Sequence, residues 1–403
     1  MTDPTMSAQE AADALGVSVA TLYAYVSRGL VRSEAEGRSR ARRYRREDVE
    51  ALLTRKEQRK EPEKVAETAL NWGAPVLESS LSLIRDGRLY YRGREAVGLA
   101  RAWSFERLAA FLWTGDAEAA VFEPPTPAFS VRARAVLGLV EDLPIVERFE
   151  VMLPVLAAED WAAYDTRPTA VAQTGARLVA HLTTMASGSE APTGSVAASL
   201  AAAWAPDQPG AAAALDAALI LAADHELNVS AFTARCVASA GSTPYAVVTA
   251  GLAALRGPKH GGHCDRVEAL FAEAGSPRMA AATLAGRLRR GEAVPGFGQP
   301  LYPQGDPRGA ALLALAAEVA PGSGAVALAT ALAEAARSLL HEHPTIDFGL
   351  VALARALGLP PGAPIAIFAL GRSVGWIAHA IEQYQADRLI RPRARYVGLP
   401  PEA

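Results

Sequence analysis

The chain has 403 residues, with 40 Lys and Arg against 43 Asp and Glu for a net charge of −3. Half of the residues are apolar and 21% are charged. That balance excludes an extended disordered chain, and the length allows two to four domains at roughly 100–200 residues each. Two cysteines, Cys236 and Cys264, exclude a disulfide framework. The N-terminus carries Asp3 and Pro4 rather than an apolar stretch, so no secretory signal is expected. The apolar runs at residues 196–205 and 364–370 fall short of the roughly 18–20 residues of a membrane span. The expectation is a cytoplasmic protein without a membrane partner, mainly α-helical because alanine makes up about a fifth of the chain.

The charge is unevenly placed. Residues 28–46 hold eight arginines (Arg28, Arg32, Arg38, Arg40, Arg42, Arg43, Arg45, Arg46) against Glu34 and Glu36, while residues 66–403 hold 27 basic and 32 acidic residues. Such a basic stretch is an electrostatic footprint for nucleic acid. Ahead of it, Ser7 and Glu10 have capping-box spacing before an apolar-periodic helix that runs to Leu15. Gly16 and Val17 make a turn, and Ser18 caps a second helix through Tyr25. A polar, basic wing at 33–43, a return stretch at Tyr44 and a closing helix over 47–53 complete a winged helix-turn-helix. The strings AQEAADALGVSVATLYAYVSRGL and RYRREDVEALL resemble the MerR/excisionase-type family over about fifty residues. The resemblance implies DNA contacts from Thr21, Tyr23, Arg28, Arg42, Arg43 and Arg45. A module that serves only protein contacts or dimerisation is the competing reading. The domains are therefore expected at 1–60, with a charged linker at 61–67 and a second domain over 68–403.

From residue 66 onward the pattern is Ala/Leu-rich helix punctuated by Gly and Pro, with one strand-like piece at 81–89. Several strings depart from this background: LAADHELNVS at 221–230, RGPKHGGHCD at 256–265, AVPGFGQPLYPQGDPR at 293–308, PTIDF at 344–348, GRSVGWIAHAIEQ at 371–383 and RPRAR at 391–395. Each has an ordinary explanation: a Gly/Pro loop is usually a connection, an Asp before an apolar run is usually a helix cap, and an Arg on an apolar helix usually snorkels. His260-x-x-His263-Cys264 has the right ligand types for zinc but no further ligand pair, so no metal is expected. A serine-nucleophile elbow, a phosphate loop and a dinucleotide fingerprint are all missing from the sequence.

Taken in order, these strings, with SSLSLIRDGRLYYRGREAVGLA before them and IRPRARYVG after them, resemble the citrate synthase family from about residue 69 to 400. The resemblance implies the citrate synthase fold, a large and a small helical domain (the small one at about 260–352). It implies a Claisen-type condensation of acetyl-CoA with oxaloacetate followed by thioester hydrolysis, with acetyl-CoA as cosubstrate, no prosthetic group and a homodimer. Asp347 takes the position of the carboxylate base and His260 that of the neutral imidazole facing the thioester carbonyl. His225, Arg308, Arg372 and Arg391 take the oxaloacetate-binding positions, Arg391 reaching across from a partner subunit, and arginine suits a dicarboxylate through its bidentate fork. Val294, Pro295, Gly296, Phe297 and Gly298 match the segment that wraps CoA.

One position departs from the family. Where its VPGxGH string ends in a histidine that polarises the oxaloacetate carbonyl, this chain has Gln299. The amide can donate a hydrogen bond but cannot deliver a proton, and loss of a general acid lowers rate by on the order of 10²–10⁴. Pro300 and Pro303 also stand where many members carry basic residues. Three readings follow: a slow citrate synthase; a ligand sensor coupled to a DNA-binding domain; and a 2-methylcitrate synthase.

Overall fold

The computed structural model describes residues 5–27, 31–35, 42–46, 48–49, 77–122, 128–189, 194–394 and 396–399. The chain divides into two units, Met1–Glu78 and Ser79–Ala403.

In the first unit, α1 (Ala8–Leu15) starts at a complete capping box: Glu10 N donates to Ser7 Oγ, and Ser7 N donates to the Glu10 carboxylate at 2.7 Å. It ends at Gly16 in the left-handed region (φ 59°), a conformation that glycine adopts without strain. Ser18 Oγ accepts from Thr21 N at 3.2 Å and opens α2 (Val19–Ser27). Strands β1 (Thr5–Met6), β2 (Ser33–Ala35) and β3 (Arg42–Arg45) form an antiparallel sheet in the order β1-β3-β2. Met6, Ala11, Ala12, Leu15, Leu22 and Tyr44 close its small core. The expected closing helix over 47–53 lies almost wholly outside the described residues, as does the linker at 61–67.

The second unit begins with an antiparallel ribbon, β4 (Ser82–Arg85), β5 (Arg88–Tyr91) and β6 (Arg94–Glu95), at the place where the sequence reads as strand. Helices follow: α3 (Ala96–Ala102), α4 (Phe105–Thr114), α5 (Val131–Leu139), α6 (Ile145–Ala157), α7 (Pro168–Ser187), α8 (Val196–Trp204), α9 (Ala211–Ala222), α10 (Val229–Ser239) and α11 (Pro244–Leu255). Then come α12 (His263–Ala274), α13 (Ala280–Arg289), α14 (Pro307–Val319), α15 (Gly324–Leu340), α16 (Ile346–Leu357) and α17 (Ala363–Ala386). One apolar core runs through α3–α11 and α17. A second, smaller core joins α12, α13, α15 and one face of α16, around Val267, Phe271, Leu332 and Phe348.

Helix α17 is the axis of the large core. By length and composition it could cross a membrane, yet 94% of its most apolar window is buried inside the protein. The sequence reading passes over it because Arg372 and His379 interrupt the run. Small residues let its backbone approach α9: a Cβ at Gly371 would come within 2.6 Å of the Leu219 carbonyl, and one at Gly375 would overlap the Ala223 carbonyl. Close packing of this kind leaves no room for side chains at the contact, so it sets where the α9–α10 turn lies against α17.

Candidate active site

The turn after α9 carries Asp224 and His225. Asp224 is fully buried, accepts from Ser82 Oγ at 2.5 Å and lies 3.2 Å from His379 Nε2. Burial pushes its carboxyl up, but His379 and Arg372 outweigh that and hold it below the ordinary value. His225, also buried, has Nε2 at 3.0 Å from the Tyr302 hydroxyl. Burial first, then the charges of Arg308 and Arg372, hold it well below the ordinary histidine value, so it is a neutral imidazole at physiological pH.

Two buried arginines face this turn, and they differ. Arg308, in the first turn of α14, is clamped by Asp306 through Nε at 2.9 Å and a terminal nitrogen at 2.7 Å. Burial acts against its charge, and Asp306 more than offsets it. Asp306 is also the N-cap of α14, and its Oδ2 accepts from Ile346 N at 3.3 Å, tying α14 to the start of α16. Arg372, on α17, donates Nε to the Ala222 carbonyl at 2.7 Å and lies over the Phe368 ring. Among the described residues no carboxylate comes within ion-pair distance of it, and it is only 1% exposed. Burial lowers it to about 10, with Asp224 working the other way. It therefore keeps its charge at neutral pH. A buried guanidinium without a carboxylate partner is costly, which makes Arg372 a candidate anion-binding residue.

His260 lies in the turn that winds into α12. Its Nε2 is 2.8 Å from Ser230 Oγ, which itself accepts from Trp376 Nε1 at 3.1 Å. The indole can only donate. Ser230 Oγ also lies 2.8 Å from Asn228 Oδ1, which can only accept, so its single proton has two places to go. Turned to Asn228, it leaves His260 donating from Nε2; turned to His260 Nε2, it leaves the ring proton on Nδ1, where it can donate to a ligand. Burial pushes His260 down to about 4, helped by the charges of Arg372 and His263. The imidazole is thus neutral, and with its proton on Nδ1 it has the donor form needed beside a carbonyl that develops negative charge.

Asp347 stands in the first turn of α16 and is only partly covered. Its Oδ1 accepts from Cys264 Sγ at 3.3 Å. Burial raises its carboxyl above the ordinary aspartate value, with the Cys264 thiol, His263 and Arg308 opposing. A raised carboxylate is a stronger base in a site that excludes water.

The loop holding Val294, Pro295, Gly296, Phe297 and Gly298 is strapped to the segment before Asp347. Phe297 pairs with Pro344 as an antiparallel bridge, Gly298 N donates to the His343 carbonyl, and Thr345 N donates to that of Gly296. Gly296 has φ 89°, and a Cβ there would come within 2.8 Å of Val267, so only glycine fits. Gln299 follows, half-buried, with Oε1 at 3.4 Å from Leu301 N.

The structure thus gathers His225, His260, Arg308, Arg372 and Asp347 into one electrostatically connected group. Arg391 is exposed on the C-terminal tail, outside that group in its own chain. Sequence reading missed Ser230, Trp376, Tyr302, Asp306 and Cys264 as parts of the site. Only Asp306 carried a local signal, as the cap preceding Pro307. Among the described residues no three His, Cys, Asp or Glu side chains converge as metal ligands. In the first unit, Arg28 lies outside the described residues, Tyr23 and Arg42 are exposed, Thr21 supports the cap of α2, and Arg43 donates to Thr5. Arg45 is half-buried on β3.

The second unit is thus a two-core helical fold that brings neutral imidazoles, a raised carboxyl and a buried arginine together. Residues 69–393 match the family model for the citrate synthase C-terminal domain, and residues 5–57 match a helix-turn-helix domain. The chain belongs to the citrate synthase family. Citrate synthase 2 of Bacillus subtilis is 37% identical over 188 residues, covering 46% of this chain and 50% of that protein. The 2-methylcitrate synthase of Shewanella oneidensis is 36% identical over 191 residues, covering 46% and 51%. The chain thus spans about half the length of the curated relatives it matches. The crystal structure of citrate synthase from Thermotoga maritima superposes with a TM-score of 0.70 at 27% identity, covering 82% of this chain and 96% of that one.

Proposed function

We propose that this protein condenses acetyl-CoA with oxaloacetate and hydrolyses the thioester to citrate and CoA. The observation that carries the reading is Arg372, a buried cation without a carboxylate partner among the described residues, set beside the clamped Arg308 and the neutral His225. Oxaloacetate is a dianion of the size that two guanidinium groups hold. In this reading Asp347 takes a proton from the acetyl methyl group while His260 donates to the thioester oxygen, so the enol(ate) forms between a base and a neutral donor. The enol carbon attacks the oxaloacetate carbonyl, and water then releases CoA. The 294–298 loop holds the coenzyme, and Arg391 completes the site of a second copy in a homodimer.

Gln299 polarises the oxaloacetate carbonyl by its amide N–H and supplies no proton, so turnover is slow. The test is thiol release from acetyl-CoA with and without oxaloacetate, with Asp347→Ala as the blank. Oxaloacetate-dependent release above the blank supports the enzyme, and Gln299→His raises it by roughly 10²–10⁴. Silence from the wild type with activity in Gln299→His overturns it in favour of a second reading. In that reading, favoured by Gln299 and the helix-turn-helix, the unit senses acetyl-CoA or a dicarboxylate and regulates DNA binding. A further reading, 2-methylcitrate synthesis, takes its support from the Shewanella relative and predicts a higher kcat/KM with propionyl-CoA than with acetyl-CoA.

A further inference from the structure

Cys264 is fully buried in the first turn of α12, and its Sγ lies 3.3 Å from Asp347 Oδ1. A buried cysteine is ordinarily a small apolar filler, but here the thiol points at a carboxylate. The first turns of α12 and α16 meet at this contact, one bearing the thiol and the other the acid. The same winding turn holds His260: His263 N donates to the His260 carbonyl and Cys264 N to that of Gly261. The thiol and the imidazole are therefore placed by one stretch of backbone. Among the described residues, Cys264 is the only side chain that donates a hydrogen bond to Asp347.

We propose that Cys264 is the positioning residue of the base: its S–H holds Oδ1 of Asp347 and leaves Oδ2 to accept the substrate proton. The role of Asp347 as base rests on the condensing reading above. In the proton-transfer step the C–H bond of the acyl methyl group breaks, its proton goes to Oδ2, and its electron pair forms the enol(ate). The thiol keeps its own proton throughout, since burial and the neighbouring carboxylate push it well above the ordinary cysteine value. A thiol is a weak donor. It fixes the orientation of the carboxylate while draining little of its basicity, whereas a hydroxyl at the same place would stabilise the anion more and weaken the base.

Two measurements on the full-length protein test this. The first needs no turnover. The S–H stretch falls in an infrared window free of other protein bands, and the chain has only Cys236 and Cys264. Subtracting the spectrum of Cys264→Ala isolates the Cys264 band. Asp347→Asn is expected to shift that band to higher frequency, and an unmoved band overturns the contact. The second is the acid limb of kcat against pH. Cys264→Ala is expected to move it to higher pH and Cys264→Ser to lower pH, each by roughly half a unit or more. A purely packing role would give no displacement, or the same one in both variants, and either result overturns the proposal. If the wild type shows no turnover, the condensing reading fails by itself, while the infrared band still decides whether the thiol holds the carboxylate.

Discussion

At Arg372 the site carries a charge that its fold does not neutralise. Its Nε donates to the Ala222 carbonyl, and desolvating a guanidinium without a carboxylate partner among the described residues opposes folding. Arg372→Met therefore melts no lower than wild type without ligand and loses the rise in Tm that oxaloacetate gives the wild type. A thermal-shift titration checks both halves. In the proposed reaction Asp347 is the base and sets the pH dependence. Its carboxyl is raised by burial, and the base works only when ionised, so activity falls as pH drops through a value above the ordinary aspartate range. His260, lowered to about 4, is neutral near pH 7 and adds no limb there. His181 offers a stability readout outside the site. It stacks on Phe129 within the core and is lowered to about 4 by burial. Between that value and the ordinary histidine pKa of 6.5, the unfolded chain binds a proton that the folded one does not, so stability is lost as pH falls through this window. The Tm difference between wild type and His181→Gln should shrink between pH 7 and pH ~4.5, as measured by calorimetry.

Among the elements, helix packing positions the chemistry. Gly371 and Gly375 let α17 touch the backbone at the end of α9, which is why Arg372 reaches the Ala222 carbonyl and Asp224 meets His379. Gly375→Ala forces a methyl group into the Ala223 carbonyl. The expected destabilisation is about 1–3 kcal/mol by urea unfolding, with loss of oxaloacetate binding because the His225 turn is displaced. Gly309 does the same for α14 and α16, where a Cβ would come within 2.5 Å of the Thr345 carbonyl. These helices were legible from their Ala/Leu runs and their Gly and Pro boundaries. Their neighbours were not, because helical periodicity says which face is apolar and not which partner it meets.

The whole molecule joins a helix-turn-helix unit to a citrate synthase-family unit. A homodimer is expected by light scattering. A monomer would leave Arg391 exposed on its own tail and remove it from the proposed site. For the first unit, the prediction is duplex binding that weakens with salt, with the slope of log affinity against log salt reduced in Arg42→Ala/Arg45→Ala. Arg43 is left out of that variant because its guanidinium donates to Thr5 in the first strand; Arg42 also donates to the Ser33 carbonyl on β2, so the variant's circular dichroism is recorded beside its binding to show that the sheet is kept. Unchanged binding in that variant would assign the basic surface to another role.

The helical class, the ribbon near residue 85, the capping box at Ser7 and the strings that hold His225, His260, Arg308, Asp347 and Arg372 are all legible in the order of the amino acids. Such features are written in short stretches, where capping, turn chemistry and motif spacing act between near neighbours. What surrounds those residues depends on how the helices pack. Ser230 meets His260 across 30 residues of chain, Tyr302 meets His225 across 77, Cys264 meets Asp347 across 83 and Trp376 meets Ser230 across 146. Burial of these groups, and with it the neutral imidazoles and the raised carboxyl, arises only when separate helices close over them and remove the water that would otherwise screen their charges.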